Sequence, residues 1–167
     1  MQMPLTVVDN PPDRPEWIRE TIRLITASAA EGRRSLLHLV DEATNAELLG
    51  GTADDWGLGQ IATHLLIVDR GVTLIALRLA RGEDAGATGQ PRPGRGEVTR
   101  DGIQTLAEKA AGAAERLRAE FPAPPDTAKT AAHPFYGQQN CFGWLLTVPN
   151  HYAAHLRAWR EGRPASL

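Results

Sequence analysis

The segment 58–79 constrains the fold more than any other part of the chain. Its apolar residues recur at alternating intervals of three and four positions, at Leu58, Ile61, Leu65, Val68, Val72, Ile75 and Leu79. On an α-helix this spacing makes one continuous apolar face, with a period near 3.5 residues that is typical of helices packed in a bundle. We predict that Asp54 or Asp55 caps the start of this helix and that Gly82 ends it.

Three further segments carry a helical pattern of the same kind. The first follows a helix-start signature at residues 13–16, in which Asp13 is the cap, and has an apolar stripe over residues 18–39. The second runs from about Thr99 to the Phe121–Pro122 pair, and the third from about Asn140 to Glu161. We find no pattern that predicts a β-strand. The chain therefore predicts an all-α fold, a four-helix bundle.

Two irregular connections separate these helices. Residues 82–96 are rich in glycine and lack apolar periodicity, which predicts a long crossover loop between the second and third helices. Residues 122–139 form the other connection. Pro149 lies inside the fourth helix, where it predicts a kink or a restart. We place the bundle domain at residues 15–163, after an N-terminal extension over 1–14 and before a C-terminal tail over 164–167.

Composition excludes several classes of function. The chain has 167 residues, enough for one domain, and its 18 Lys+Arg against 20 Asp+Glu leave no basic surplus for a nucleic-acid backbone. The single cysteine, Cys141, excludes an intrachain disulfide and a zinc site built from several thiolates. We find neither a secretory signal nor an apolar stretch of membrane-spanning length, and we expect a cytoplasmic protein with no nucleic-acid or membrane partner.

Three histidines are candidates for a metal site. His151 and His155 are four residues apart on the fourth predicted helix, which brings their Cβ atoms to about 5–6 Å on one face. His64 flanks the apolar seam of the second helix. Three neutral imidazoles around a divalent ion leave coordination positions open, as in catalytic metal sites. The alternative is that these are boundary histidines bonded to backbone carbonyls.

Other candidates have weaker signals. His38 is expected at the surface or boundary, and His133 in a loop before Pro134, with a structural role or a place at the rim of the site. Cys141 near a helix start is either a thiol of lowered pKa or an inert apolar residue. Three of the four tryptophans are expected as core anchors, namely Trp56, Trp144 and Trp159, and Trp144 shares the face of His151.

Taken together, three short motifs resemble the DinB/YfiT-like superfamily. They are the run from Trp56 to Leu65 that contains His64, the His133-Pro134-Phe135-Tyr136-Gly137 turn, and the run from His151 to Leu156. The resemblance covers residues 15–163. It implies a four-helix bundle, often dimeric, in which His64, His151 and His155 hold a divalent metal, zinc or nickel. Characterised members of the superfamily include transferases and isomerases that use a low-molecular-weight thiol such as mycothiol or bacillithiol.

The resemblance therefore implies a metal-dependent transferase that joins such a thiol cosubstrate to a small electrophile. Arg70 and Arg157 are candidates to bind an anionic substrate or cosubstrate, with Trp144 in the substrate pocket. A metal-dependent hydrolase is the first alternative, although no carboxylate is evidently placed as its base, since Asp69 lies five residues beyond His64. The second alternative is a non-enzymatic, dimeric stress-response or ligand-binding protein. We expect a homodimer with a small-molecule substrate.

Overall fold

The computed structural model describes residues 14–88 and 98–162, and four long helices form its framework. The helices are α1 (Pro15–Glu42), α2 (Asn45–Leu49), α3 (Leu58–Ala80), α4 (Arg100–Glu120) and α5 (Cys141–Arg160). The strands are β1 (Ala131–His133) and β2 (Gly137–Gln139). The predicted all-α four-helix bundle is confirmed, with α2 as a short addition between the first two long helices.

Helix α3 is the central element of the bundle. It packs extensively against both α4 and α5, and it also contacts α1 and α2. Six of its seven predicted seam residues are buried, and Val68 is half-buried. Helix α3 is also long and apolar enough to cross a membrane by length and composition alone, so the expectation that no stretch reaches that length is wrong. Most of α3 is buried inside the bundle, which explains its apolar character in a core helix.

Helices α3 and α4 run in the same direction. Arg81, just after the end of α3, pairs with Glu120 at the end of α4. At the opposite end, Val98 lies beside Gly59 at the start of α3, immediately before α4 begins. Two neighbouring parallel helices require a connection that travels the length of the bundle, about 34 Å for a helix of 23 residues. The predicted crossover loop is therefore confirmed; within it, residues 89–97 lie outside the described part of the chain.

The predicted starts of α4 and α5 are confirmed by their caps. The Thr99 side chain accepts a hydrogen bond from the Gly102 backbone N–H at 3.0 Å, and the Asn140 side chain accepts one from the Gly143 N–H at 3.1 Å. Each bond satisfies a donor that the first turn of a helix leaves unpaired.

The predicted caps of the first two long helices are wrong or untested. Helix α3 begins after Gly57, not after Asp54 or Asp55, and the Gln60 side chain accepts from the Gly57 N–H at 3.0 Å. Helix α1 begins after Arg14, which makes no side-chain cap, and the predicted cap Asp13 lies outside the described residues. In α3 the Gln60 side chain, in the first turn of the helix, therefore makes the capping hydrogen bond that was expected of Asp54 or Asp55.

The connection before α5 contains structure that the sequence pattern did not predict. Strands β1 and β2 pair antiparallel as a hairpin, so the expectation of no strands is wrong. Three-residue strands are too short to show a period of two. The hairpin is attached to the bundle by the Trp144 indole N–H, which donates to the Ala131 carbonyl at 3.3 Å. Helix α5 continues through Pro149, so the predicted restart does not occur.

Candidate metal centre

The three histidines singled out in the sequence meet at the interface of α3 and α5. One nitrogen from each of His64, His151 and His155 lies within 4.8 Å of the other two. The closest approach joins Nε2 of His64 to Nε2 of His151 at 3.2 Å. Ring centroids are 4.6 Å apart for His151 and His155 and 5.5 Å apart for His64 and His155. The structure therefore brings together side chains that are 87 residues apart in the chain.

Helix direction explains this convergence. The start of α5 lies beside the end of α3, where the Cys141 thiol approaches the Asp126 carbonyl and the Asp126 N–H donates to Ala80. The two helices are thus antiparallel, and the second half of α5 lies beside the first half of α3. His64 and His155 are buried, whereas His151 is half-buried. His151 is therefore the member of the cluster that keeps part of its surface accessible to solvent.

Burial keeps the two imidazoles of α5 neutral. For His151, burial first, and then the neighbouring His155, His64 and His133, lower the pKa to about 3. For His155, burial and then His64 lower the pKa to about 4. A neutral imidazole has a free lone pair and is the form that binds a metal. At neutral pH the two α5 rings are therefore already in the ligating state.

Two observations indicate that the cluster is suited to bind a divalent ion. Nitrogens bound to one tetrahedral zinc at 2.0–2.1 Å lie about 3.3 Å apart, and the His64–His151 distance of 3.2 Å matches that value. His155 Nδ1 is buried without a hydrogen-bond partner among the described residues, which carries a desolvation cost. The alternative reading, in which each histidine bonds a backbone carbonyl, fails for this nitrogen.

Trp56 forms one wall of the cluster. Its ring lies edge-on to His64 with centroids 5.0 Å apart, and its indole N–H donates to the Ala53 carbonyl at 3.1 Å. The loop before α3 holds it there through a backbone bridge between Gly51 and Trp56. Gly51 has φ +97°, a left-handed conformation that favours glycine. Trp56 is half-buried and lines the metal centre, so it is more than a core anchor.

The β1–β2 hairpin forms a second wall. The His133 ring stacks on Tyr136 at 4.8 Å and lies 4.6 Å from the Trp144 ring. His133 Nδ1 accepts a hydrogen bond from the Phe135 backbone N–H at 3.2 Å. His133 is also close enough to His151 for its charge to lower the pKa of that ring. This position is consistent with the predicted rim role of His133, and it places two exposed aromatic side chains, Phe135 and Tyr136, on the same hairpin.

The two arginine candidates lie away from the cluster. Arg70 is exposed on α3, and six residues of helix turn it by about 120° from His64. Arg157 is exposed on α5, two residues beyond His155. His38 is exposed, as expected for a surface position. Trp144 is buried, and its contacts with the hairpin make it a support for His133.

The sequence left two interpretations of Cys141, a thiol of lowered pKa and an inert apolar residue, and the structure supports the second. It is fully buried, and burial raises the pKa of its thiol to about 11. A thiol in that state carries almost no thiolate at neutral pH and is a poor nucleophile.

Sequence reasoning missed a buried polar network beside the cluster. The Asp69 carboxylate on α3 accepts hydrogen bonds from the Arg33 guanidinium at 2.7 Å and from the Tyr152 hydroxyl at 2.9 Å. All three side chains are buried, and burial raises the pKa of Tyr152 well above its ordinary value, so its hydroxyl remains a donor. The signal in the sequence was a charged residue, Asp69, between Val68 and Val72 on the most apolar helix.

Comparison with known proteins agrees with the fold and the motifs. The chain matches the family model of the DinB superfamily over residues 28–158, and it belongs to this superfamily. Its fold is similar to the crystal structure of TT2238, a four-helix bundle protein, with a TM-score of 0.62 and 23% identity. That match covers 84% of this chain and 98% of the other. No curated protein matches the chain significantly.

The lowered histidine pKa values predict acid sensitivity of the metal-free protein. The ordinary histidine pKa is about 6.5. Between that pH and pH 4, His151 and His155 become protonated in the unfolded chain but stay neutral in the folded protein. The free energy of unfolding should therefore fall as the pH falls, by up to about 1.4 kcal/mol per pH unit for each histidine. His151 is partly exposed to water, so we expect His155 to make the larger contribution to this dependence of the unfolding free energy on pH.

Urea titrations of chelator-treated protein at several pH values measure this slope. The His155→Gln variant should have a shallower slope over the same range, and the exposed His38→Gln variant should keep that of the wild type. If the unfolding free energy of His155→Gln fell with pH as steeply as that of the wild type, the lowered pKa of His155 would be contradicted.

Proposed function

We propose that this protein is a metal-dependent enzyme whose centre is held by His64, His151 and His155, with zinc or nickel as the ion. The observation that carries the proposal is the convergence of three buried or half-buried imidazoles within 4.8 Å, one of them with a partnerless nitrogen. Metal ligation through Nδ1 of His155 would satisfy that nitrogen, and three protein ligands leave positions for a substrate. His151 is the half-buried member of the cluster, and we expect a small molecule to reach these positions from its side.

Within that class, we propose a transferase that joins a low-molecular-weight thiol, of the mycothiol or bacillithiol type, to a small electrophile. A divalent ion at this centre supplies Lewis acidity that lowers the pKa of a coordinated thiol. The chain's own groups surround the reactants: Trp56 lies edge-on to His64, and His133 of the hairpin lies near enough to His151 to lower the pKa of that ring. Membership of the DinB superfamily supports this proposal.

The hydrolase alternative has no carboxylate within the potential metal-binding group of the described residues. The potential metal-binding group found there consists of histidines only. Asp69, the nearest carboxylate along α3, is occupied by Arg33 and Tyr152. A transferase in which the thiol is the nucleophile needs no such carboxylate to activate water, and for this reason we favour it.

Arg70 and Arg157 remain candidates to bind the anionic groups of a cosubstrate through their exposed guanidinium groups. We place the reaction in the cytoplasm, where thiols of this type stay reduced.

We also propose a homodimer, as the family resemblance implies. Trp17 and Leu24 are seven residues apart on one face of α1 and are 47% and 53% exposed. Large apolar side chains that share an exposed face are typical of an interface.

Metal content tests the centre directly. Untagged wild-type protein should contain about one zinc or nickel ion per chain, because three imidazoles with an open position make a complete protein ligand set. His64→Ala and His151→Ala should each lose most of the metal in elemental analysis, and the exposed His38→Ala should retain it. Equal metal in all four proteins would refute the centre.

Turnover tests the reaction class. We expect conversion of a generic small electrophile only in the presence of both metal and a low-molecular-weight thiol. The His151→Ala variant should lose at least about 100-fold in rate, the upper end of what loss of an outer-shell partner costs. A panel of thiols that includes mycothiol, bacillithiol and glutathione measures cosubstrate choice. Thiol-independent ester or amide cleavage would point to the hydrolase, and bound metal without turnover in either assay to the non-enzymatic alternative.

Sedimentation measures the oligomeric state. We expect a dimer for the wild type and a monomer for the double variant Trp17→Glu with Leu24→Glu, because two buried charges oppose association. Leu49→Glu, at a residue that is 67% exposed on α2, is the matched control and should remain a dimer. A monomeric wild type at micromolar concentration would contradict the proposal.

A further inference from the structure

One carboxylate oxygen joins three helices in the core. Oδ2 of Asp69, on α3, accepts from Nε and Nη2 of Arg33 on α1 at 3.1 and 2.7 Å, and from the hydroxyl of Tyr152 on α5 at 2.9 Å. The exposed fractions are 8% for Arg33, 1% for Asp69 and 2% for Tyr152. Apolar side chains of similar volume often stabilise a core at least as well as a buried ion pair does. Stability alone therefore does not explain this arrangement.

The network is continuous with the histidine cluster through the chain. Tyr152 directly follows His151 and lies three residues, nearly one helical turn, before His155. On α3, Asp69 lies five residues beyond His64. Two consecutive residues of α5 thus contact two nearby positions of α3, since His151 meets His64 and Tyr152 meets Asp69. The hydrogen bond between Tyr152 and Asp69 fixes the position of α5 along its axis and its rotation about that axis, next to the two histidines of α5.

Close backbone packing from α1 reinforces that position. Gly32, next to Arg33, lies against Tyr152 so closely that a Cβ atom at Gly32 would stand 2.6 Å from the Tyr152 Cβ. Even alanine at position 32 therefore requires α1 and α5 to move apart. The Tyr152 ring is held by Gly32 on one side, and its hydroxyl is held by Asp69.

We propose that Arg33, Asp69 and Tyr152, with Gly32 as the backing surface, are positioning residues for the metal centre. They hold α5 at the rotation that directs His151 and His155 toward His64. The proposal rests on the proposed function, since it assigns a role toward the metal that those histidines bind. It predicts that loss of the Tyr152 hydroxyl changes metal affinity and coordination geometry although no ligand is altered.

The test compares metal binding by folded variants. Zinc affinity is measured by competition with a chromophoric chelator, and the visible spectrum of the cobalt(II)-loaded protein reports coordination geometry. Tyr152→Phe keeps the ring and removes only the hydroxyl, and we expect its zinc affinity to fall roughly 10-fold, as for loss of an outer-shell hydrogen bond. Its cobalt spectrum should differ from that of the wild type. Gly32→Ala tests the same position by steric displacement and should also weaken binding.

Matched controls separate positioning from general destabilisation. Thr73→Val removes a buried hydroxyl of α3 that lies 3.4 Å from the other oxygen of Asp69, and it leaves the Tyr152 hydroxyl in place. Gly112→Ala adds a Cβ to α4 where no atom lies within 4 Å. Both should keep wild-type affinity and the wild-type cobalt spectrum, whatever their effect on thermal stability. Circular dichroism establishes that each variant is folded at the temperature of the titration.

The outcomes distinguish this inference from the function on which it rests. If the wild type binds neither zinc nor cobalt, the metal centre itself is refuted, and the positioning role with it. If the wild type binds metal and Tyr152→Phe and Gly32→Ala match its affinity and spectrum, only the positioning role is overturned. Equal losses in Thr73→Val and Tyr152→Phe would also overturn it, because the effect would then not depend on the link to α5.

Discussion

Helix α3 lies among the other helices of the bundle, and a polar side chain on its inner surface has to find a partner within the protein. An unsatisfied buried donor or acceptor costs about 1–3 kcal/mol. Thr63 meets this requirement within its own helix, by donating to the Gln60 carbonyl at 3.0 Å. Asp69 meets it with Arg33 and Tyr152 from two other helices. His64 meets it at the face shared with α5, where His151 lies 3.2 Å away. The position of α5 therefore follows from polar groups as well as from apolar packing.

The same requirement singles out the candidate metal site. In the described part of the chain, His155 Nδ1 is a buried side-chain atom for which the protein supplies no partner, and it belongs to the three-histidine cluster. A structural core does not ordinarily leave such an atom, whereas a ligand site does. Membership of the DinB superfamily and the partial exposure of His151 agree with a centre that receives a small molecule. The buried network of Asp69 includes Tyr152, the residue after His151, and in our proposal it links the packing of the bundle to the geometry of the metal ligands.

Much of the framework could be predicted from the sequence because it depends on local patterns. The seam of α3, the caps at Thr99 and Asn140, and the end of α4 at Phe121 all follow from residues close together in the chain. Two features were missed. The cap of α3 is a local contact, in which the Gln60 side chain turns back to Gly57 three residues earlier, and the aspartates nearby were the more familiar caps. The hairpin depends on a contact with another element, since Trp144 on α5 binds the Ala131 carbonyl. Pro149 is accommodated in a continuous helix that packs against α1 and α3, which its local effect alone did not predict.

The sequence by itself determined the class of fold and identified the three histidines of the candidate metal site. Apolar periodicity specifies the helices, and the spacing of His151 and His155 places them on one face of α5, because both depend only on the 3.6-residue turn. Tertiary structure decided which nitrogens meet, how deeply they are buried, and which polar groups lie next to them. Arg33, Asp69 and Tyr152 lie up to 119 residues apart, and no local pattern relates them. They come together only because three helices exclude water from one carboxylate, which then has to find its hydrogen-bond donors among the side chains of the protein.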